Sequence, residues 1–381
     1  MSLRDRLKKR VPPALRLPLD RVLRPLSGLR RSLHILLMKP VTDREPHVFY
    51  GYAHIPDGTE QAHGGIVKAQ LMQRAFPNSS RKFNILYFVS SRIPYGAVQI
   101  AAAAKIKGAR LVWNQNGVAY RAWHGPGWEA VNAPLTKLVH AADHVFYQSE
   151  FCRLSADRYL GVRKGPWEIL YNPVDTQTFV PASSDPSAHC LVMLLAGNQY
   201  QYYRLSTAIE VLAGVVRLGI DAKLLITGKL CWIPDEAEAV RIARHCAVEQ
   251  GVLDRVVFLG PYTQKAAPAI FRQAHVLLHT KFNDPCPGVV IEAMACGLPV
   301  VYSESGGVPE LVGKDAGIGI PVERSWEKDI PPDPNAMAAA VCKVAERRQD
   351  FSNAARQRAE EKFDLRPWLQ RHHEVFESLL R

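Results

Sequence analysis

Asp284 and Glu292 stand eight positions apart in the segment LLHTKFNDPCPGVVIEAMACGLPVVYSESGGVPELV, which runs from Leu277 to Val312. Pro285 and Pro287 keep the intervening loop out of a helix, and Gly297 closes a helix that opens about Gly288. A strand ending near Thr280 therefore delivers a helix N-terminus at its carboxyl end. The free N–H groups near Gly288, Val289 and Val290, added to the positive end of the helix dipole, suit a phosphate or a sugar hydroxyl. Glu292, about one turn inside that helix, can point a two-oxygen acceptor at the same pocket, and a carboxylate is the side chain that receives two adjacent ribose hydroxyls. Asp284 hangs from the loop on the opposite side of the phosphate position. Taken singly, Glu292 reads equally as a solvated helix residue and Asp284 as a loop or cap residue. The next strand, Pro299–Ser303, leads into Gly306-Gly307, a second glycine turn whose backbone can approach a ligand closely.

Such a pocket needs strands to carry it, and the chain supplies two series of them. His47–Tyr52, Phe83–Val89, Arg110–Asn114, His144–Gln148 and Trp167–Tyr171 alternate with helix-length segments, as do Cys190–Ala196, Ala222–Thr227, Val256–Leu259, His275–His279, Pro299–Tyr302 and Gly317–Ile320. Between the series, Pro181–Ser187 reads as a linker, and Pro334–Arg348 and Pro367–Leu380 read as closing helices. The fold class expected is α/β: two doubly wound Rossmann-like domains facing a cleft, over residues 45–180 and 181–365, with a helix over 366–381 returning to the first. The length of 381 residues and the 47% hydrophobic, 22% charged composition agree with two such domains and exclude a disordered chain or a small stapled scaffold. No apolar run reaches the roughly 20 residues of a spanning helix. Seven cysteines with no Cys-x-x-Cys pair indicate neither a zinc site nor a disulfide framework, and read as reduced residues of a cytosolic protein.

The net charge of +12 is uneven. Residues 1–40 hold eleven Lys or Arg against Asp5 and Asp20, so a leader spanning 1–44 carries +9 of it within those forty positions. Leu19, Val22, Leu23, Leu26, Leu29, Leu33, Leu36 and Leu37 form one apolar stripe, interrupted by Pro25. An apolar face with clustered arginines suits an anionic membrane surface; a domain-packing helix, an inert tail or a transit peptide are the alternatives. A nearly neutral body without a basic-aromatic module argues against nucleic acid.

The stretch Asp284–Val312 resembles the signature of family 4 retaining nucleotide-sugar glycosyltransferases of the two-domain GT-B fold. Two carboxylates with seven residues between them, a small-residue helix, GLPVV at Gly297–Val301 and GG-x-PE at Gly306–Glu310 stand in the family's order. Gly64-Gly65 is similar to its early glycine turn, and Asn172-Pro173-Val174-Asp175 with Phe179 to its NGVD…F segment. The resemblance implies that Glu292 holds the donor ribose, that Asp284 sits by the transferred sugar, and that the Gly288 and Val289 amides meet diphosphate and sugar. Three positions depart from the pattern. Asp284 replaces the usual Glu; Asn116 falls near the usual first-domain His; and Gly197 is followed by Asn198-Gln199-Tyr200-Gln201-Tyr202-Tyr203-Arg204, leaving only Arg204 of an expected Arg and Lys.

For the cation facing the leaving diphosphate, Arg204 ranks first, then Lys229 after the Gly228 turn, then Lys281. His63, His124 and Arg121 lie in first-domain loops expected to face the cleft on the acceptor side, with Asn116. Trp113, Tyr120, Trp123 and Trp128 either stack on an acceptor or pack the core. The resemblance implies a retaining hexosyltransferase acting from a nucleotide diphosphate sugar onto a glycan or lipid-linked hydroxyl, in polysaccharide or glycolipid assembly at the inner face of a membrane. The donor is a substrate, and with no Asp-x-Asp motif no metal or other cofactor is expected. Rival readings are a catalytically degenerate scaffold and a nucleotide-sugar epimerase or phosphorylase on the same fold.

Overall fold

A computed structural model describes residues 28–60, 64–185, 187 and 189–381. Eleven parallel strands form two sheets among them. The first sheet comprises β1 (Val48–Phe49), β2 (Ile85–Val89), β3 (Arg110–Gln115), β4 (His144–Tyr147) and β5 (Trp167–Ile169), adjacent in chain order. The second comprises β6 (Leu191–Leu195), β7 (Ala222–Thr227), β8 (Val256–Gly260), β9 (Val276–His279), β10 (Val300–Glu304) and β11 (Gly317–Pro321), in the order β11-β10-β9-β6-β7-β8. That order reverses between β6 and β9, and the two loops leaving their carboxyl ends diverge to opposite faces. A crevice opens where they part, which is where open α/β sheets bind ligands.

Near-continuous apolar strands reflect burial on both faces. Leu86, Phe88, Leu111, Trp113, Val145 and Tyr147 pack under the helices Ala97–Ile106, Trp128–Ala141 and Glu150–Leu160. Ile85, Tyr87, Val89, Val112 and Phe146 face the other way, against the helices Gly64–Met72 and Leu365–Leu380. The last helix thus crosses back to the first domain and completes its second layer through Leu365, Trp368, Val375 and Phe376. His372 lies buried there; its Nε2 is 3.0 Å from Tyr87 Oη and its Nδ1 2.8 Å from Trp368 O. Burial pushes its pKa down to about 3, so the imidazole is neutral.

The two chain crossings between domains pair with each other: Val174 N–H donates to Phe363 O (2.8 Å) and Leu365 N–H to Val174 O (3.0 Å). One helix, Arg348–Phe363, lies where the sequence marked nothing, because only Ala355, Ala359 and Phe363 on it are buried and its apolar signal is correspondingly faint. All seven cysteines are unpaired.

Residues 28–37 are helical and dock on the first domain, where Ile35 joins the core of Leu86 and Phe88 and Arg31 Nη1 donates to Gly51 O (2.8 Å). The first domain therefore begins before residue 45. Leu29, Leu33, Leu36 and Leu37 stay exposed, at 54, 53, 39 and 86%. The rest of the leader stripe, Leu19 to Leu26, lies outside the described residues.

Candidate functional site

The loop after β9 carries Asp284, and backbone pairing sets its shape. Asn283 adopts a left-handed conformation (φ 50°), which Asn tolerates better than most residues; its N–H donates to Ser305 Oγ (2.9 Å) and its Nδ2 to Ser325 O (2.9 Å). Gly307 N–H donates to Asp284 O (2.9 Å), and a Cβ on Gly306 would collide with that same oxygen. This corrects the expected role of the second glycine turn. Gly306 and Gly307 admit the Asp284 loop itself, and the Gly307 amide is already taken.

Asp284, only 9% exposed, faces three basic side chains. Lys281 Nζ is 3.1 Å from Oδ1, and His279 Nε2 is 3.2 Å from Oδ2, close enough for an ion pair though not aligned as a hydrogen bond. Arg204 is the third, at the N-terminal turn of the helix Tyr202–Arg217 that follows β6. Burial alone would raise the Asp284 pKa, but Lys281, His279 and Arg204 together outweigh it and hold the carboxyl well below the usual range. Burial lowers the pKa of His279, against the raising effect of Asp284. Arg204 Nη1 donates to Asn198 O (2.9 Å), while its buried Nε has no partner among the described residues. Thr280 Oγ1 ties the β9 end to Arg204 O at 2.7 Å, and Phe282 N–H donates to Tyr203 Oη at 3.0 Å, so the Asp284 loop and the Arg204 helix are held as one unit. Asp329 faces Lys281 and Arg204 from the segment after β11, with burial raising its pKa.

The helix Gly288–Ala295 begins as expected. Val290 N–H turns back on Pro287 O (3.2 Å), so Gly288 and Val289 carry the outward amides. Glu292 is also buried, and burial raises its pKa; Gln264 Nε2 holds Oε1 at 2.6 Å. The two carboxylates differ in electrostatics: Asp284 is held as an anion beside cations, whereas Glu292 meets one neutral amide.

The first domain closes against this loop. Pro285 O accepts from Ser149 Oγ (2.7 Å) and Cys286 O from Asn172 Nδ2 (2.7 Å). Glu310 of the GG-x-PE run caps the first-domain helix, accepting from the amides of Glu150 (2.7 Å) and Phe151 (2.9 Å). Trp326 inserts among Tyr120, Phe151 and Tyr159, with ring centroids at 4.8, 5.2 and 5.5 Å. Lys281 Nζ lies 4.7 Å from the Trp123 ring centroid, so a first-domain aromatic backs the second-domain cation.

Asn116 borders the cleft; its N–H donates to Ser90 Oγ (2.8 Å) and the adjacent Gly117 abuts Pro285. Gly65 admits Ser91 and Arg92 where the helix Gly64–Met72 passes the end of β2, while Gly64 is open. His124 is exposed without a side-chain partner among the described residues, and Arg121 pairs with Glu327 at 3.7 Å. His63 lies outside the described residues. Trp113 and Tyr120 are core residues and Trp128 packs on Tyr159, leaving Trp123 exposed. The Lys229 amide is held by Asn198 Oδ1 (2.9 Å) and its ammonium makes no hydrogen bond or ion pair with a described residue, whereas Lys281 pairs with Asp284. His279, Asp329, Gln264 and Trp326 went unnoticed in sequence. His279 and Lys281 had a signal, lying five and three residues before Asp284 at a strand end; Asp329 and Gln264 had none.

Residues 191–347 match the family described as Glycosyl transferases group 1. A stretch of 176 residues is 26% identical to a subunit of the phosphatidylinositol N-acetylglucosaminyltransferase of Arabidopsis thaliana, covering 46% of this chain and 36% of that protein. A D-inositol 3-phosphate glycosyltransferase of Mycobacteroides abscessus is 36% identical over 80 residues, 21% of this chain and 18% of its own length. The chain thus spans about a third or less of these relatives. Among solved structures, Anabaena HepE in complex with UDP superposes with a TM-score of 0.63 at 20% identity over 81% of both chains. A sucrose-phosphate synthase from Thermosynechococcus elongatus gives 0.61 at 18% identity, over 82% of this chain and 76% of that one. These neighbours share the fold, the expected GT-B arrangement.

Proposed function

Because residues 191–347 match the group 1 glycosyltransferases and the described residues have the GT-B fold, we propose that this protein transfers a sugar from a nucleotide diphosphate donor to a hydroxyl acceptor with retention of configuration. The observation that carries this reading is the buried Asp284 among Lys281, His279 and Arg204, one loop away from the Gly288 helix N-terminus and Glu292. In this reading the ribose hydroxyls bind Glu292 and the diphosphate meets the Gly288 and Val289 amides with Arg204 and Lys281. The bond from the sugar anomeric carbon to the phosphate oxygen breaks as those cations take up the developing charge. The acceptor oxygen bonds to that carbon on the same face, and its proton passes to the departing phosphate. Asp284 stabilises the positive character of the sugar ring and orients it. No step calls for a metal or other cofactor, so turnover is expected to persist in EDTA.

Glu292→Gln tests the donor side. Losing a charge-assisted pair of hydrogen bonds costs roughly 1.5–3 kcal/mol, so the donor KM is expected to rise about ten- to a hundredfold with kcat little changed. Since burial raises the Glu292 pKa, donor affinity should also weaken on acidification while Asp284 is still ionised. Nucleotide released only when acceptor is present separates transfer from an inert scaffold and from an epimerase. An unchanged donor KM in the Gln variant would remove Glu292 from ribose binding.

We further propose that the protein works on the inner face of a membrane, on a lipid-linked or glycan acceptor, docked through the exposed leucines of helix 28–37 with Arg30 and Lys39 beside them. Among the described residues no helix is long and apolar enough to cross a bilayer. Deleting residues 1–40 would strip Ile35 from the core, so the cleaner test replaces Leu29, Leu33, Leu36 and Leu37 with Gln. That variant should lose binding to anionic vesicles and keep its UDP affinity; equal vesicle binding would rule the surface out.

A further inference from the structure

Lys68 lies on the inward face of the helix Gly64–Met72, with Gly65, Ala69 and Met72, and is only 4% exposed. Its ammonium makes no hydrogen bond or ion pair with any described residue; its electrostatic neighbours are the thiols of Cys286, in the Asp284 loop, and Cys152. Burying an unpaired charge is costly, and proteins seldom keep one without a partner that arrives. Three buried amide oxygens at the carboxyl ends of adjacent strands are also unpaired: Asn116 Oδ1 after β3, Gln148 Oε1 after β4 and Asn172 Oδ1 after β5. Their other contacts fix them in place, since Gln148 Nε2 donates to Asn114 Oδ1 (2.5 Å) and Asn172 Nδ2 to Cys286 O (2.7 Å). The Pro285-Cys286 backbone roofs this region, held by Ser149 and Asn172, so it lies directly across the loop from Asp284.

Lys68 neighbours Cys286, whose carbonyl accepts from Asn172, and Gly65 on its helix abuts Ser91, next to the Ser90 hydroxyl that holds the Asn116 amide, so a largely buried cation lies in the same region as these acceptors. That combination fits a ligand with an anionic group and hydroxyl donors. We propose that Lys68 anchors the anionic group, phosphate or carboxylate, of a polyhydroxylated acceptor whose hydroxyls are received by Asn116, Gln148 and Asn172. This rests on the transferase reading for the word acceptor, though not for the anion site itself. The nearest alternative is an ammonium solvated by trapped water, with no ligand role.

Calorimetric titration of the full chain with inorganic phosphate and with malonate, in saturating UDP so that the donor-side cations are occupied, decides between them. Wild type should bind at least one of these anions saturably at one site, with glycerol giving no heat. Lys68→Met should weaken that binding by about tenfold or more, and Lys68→Arg should retain part of it, since a hydrogen bond to a charged group is worth roughly 1.5–3 kcal/mol. Lys68→Met should also melt at a higher temperature than wild type without added anion, because a buried unpaired charge is gone. Equal anion affinity in wild type and Lys68→Met, or no saturable heat with either probe, overturns the proposal. If UDP itself fails to bind, the transferase reading is at fault; titration of Arg204→Met against the double variant Arg204→Met, Lys68→Met then tests the anion site alone.

Discussion

Asp284→Asn should lower kcat by about a hundredfold or more, the scale seen when a group aimed at transition-state charge is removed. Donor KM should stay level or fall. Asn cannot neutralise Lys281 and Arg204, so the variant site is more positive and holds a diphosphate at least as well. Steady-state kinetics at saturating acceptor separates the two effects, and a melting curve guards against the cost of stranding buried cations, which can reach about 3–5 kcal/mol. Asp284→Glu is the sharper test. Asp284 reaches both Lys281 and His279 from a loop clamped by Gly306 and Gly307, so one more methylene must shift the carboxylate off these partners. A Glu at this position should therefore lower kcat. A faster Glu variant would mean that the shorter side chain is only a weakened version of the longer one, and Asn and Glu variants that both match wild type would remove Asp284 from the mechanism.

Arg204→Met is expected to cost about a hundred- to a thousandfold in kcat, because a preorganised donor to the leaving group is lost from a water-poor site. Arg204 is held through Asn198 O and the Thr280 contact to its own carbonyl, and its unpartnered Nε is one group a diphosphate could satisfy. Lys281→Met should lose less, about tenfold, since its ammonium is shared with Asp284 and with the Trp123 ring. UDP affinity measured alongside should fall in both variants. If Lys281→Met proves the more damaging, the principal phosphate cation comes from the β9 loop and the β6 loop is secondary. Full activity in both would leave the diphosphate to the helix N-terminus.

All eleven strands, the linker near residue 180 and the Gly288 helix were legible in the sequence, because each is written locally: apolar runs of strand length, a Pro-rich loop, a glycine closing a helix. The helix Arg348–Phe363 escaped because an alanine face carries little hydrophobic signal. What the tertiary structure alone decided is which distant side chains share the crevice. Asp284 and a first-domain Trp converge on Lys281, and Asp329 faces it from a segment whose Trp326, three residues earlier, packs against the other domain. Gly306 and Gly307, which in sequence could face a ligand, turn out to face the Asp284 loop. Local pattern sets which elements form, since it acts through the backbone's immediate neighbours. Partners brought together across more than a hundred residues, as Trp123 and Lys281 are, are fixed only when the two sheets pack.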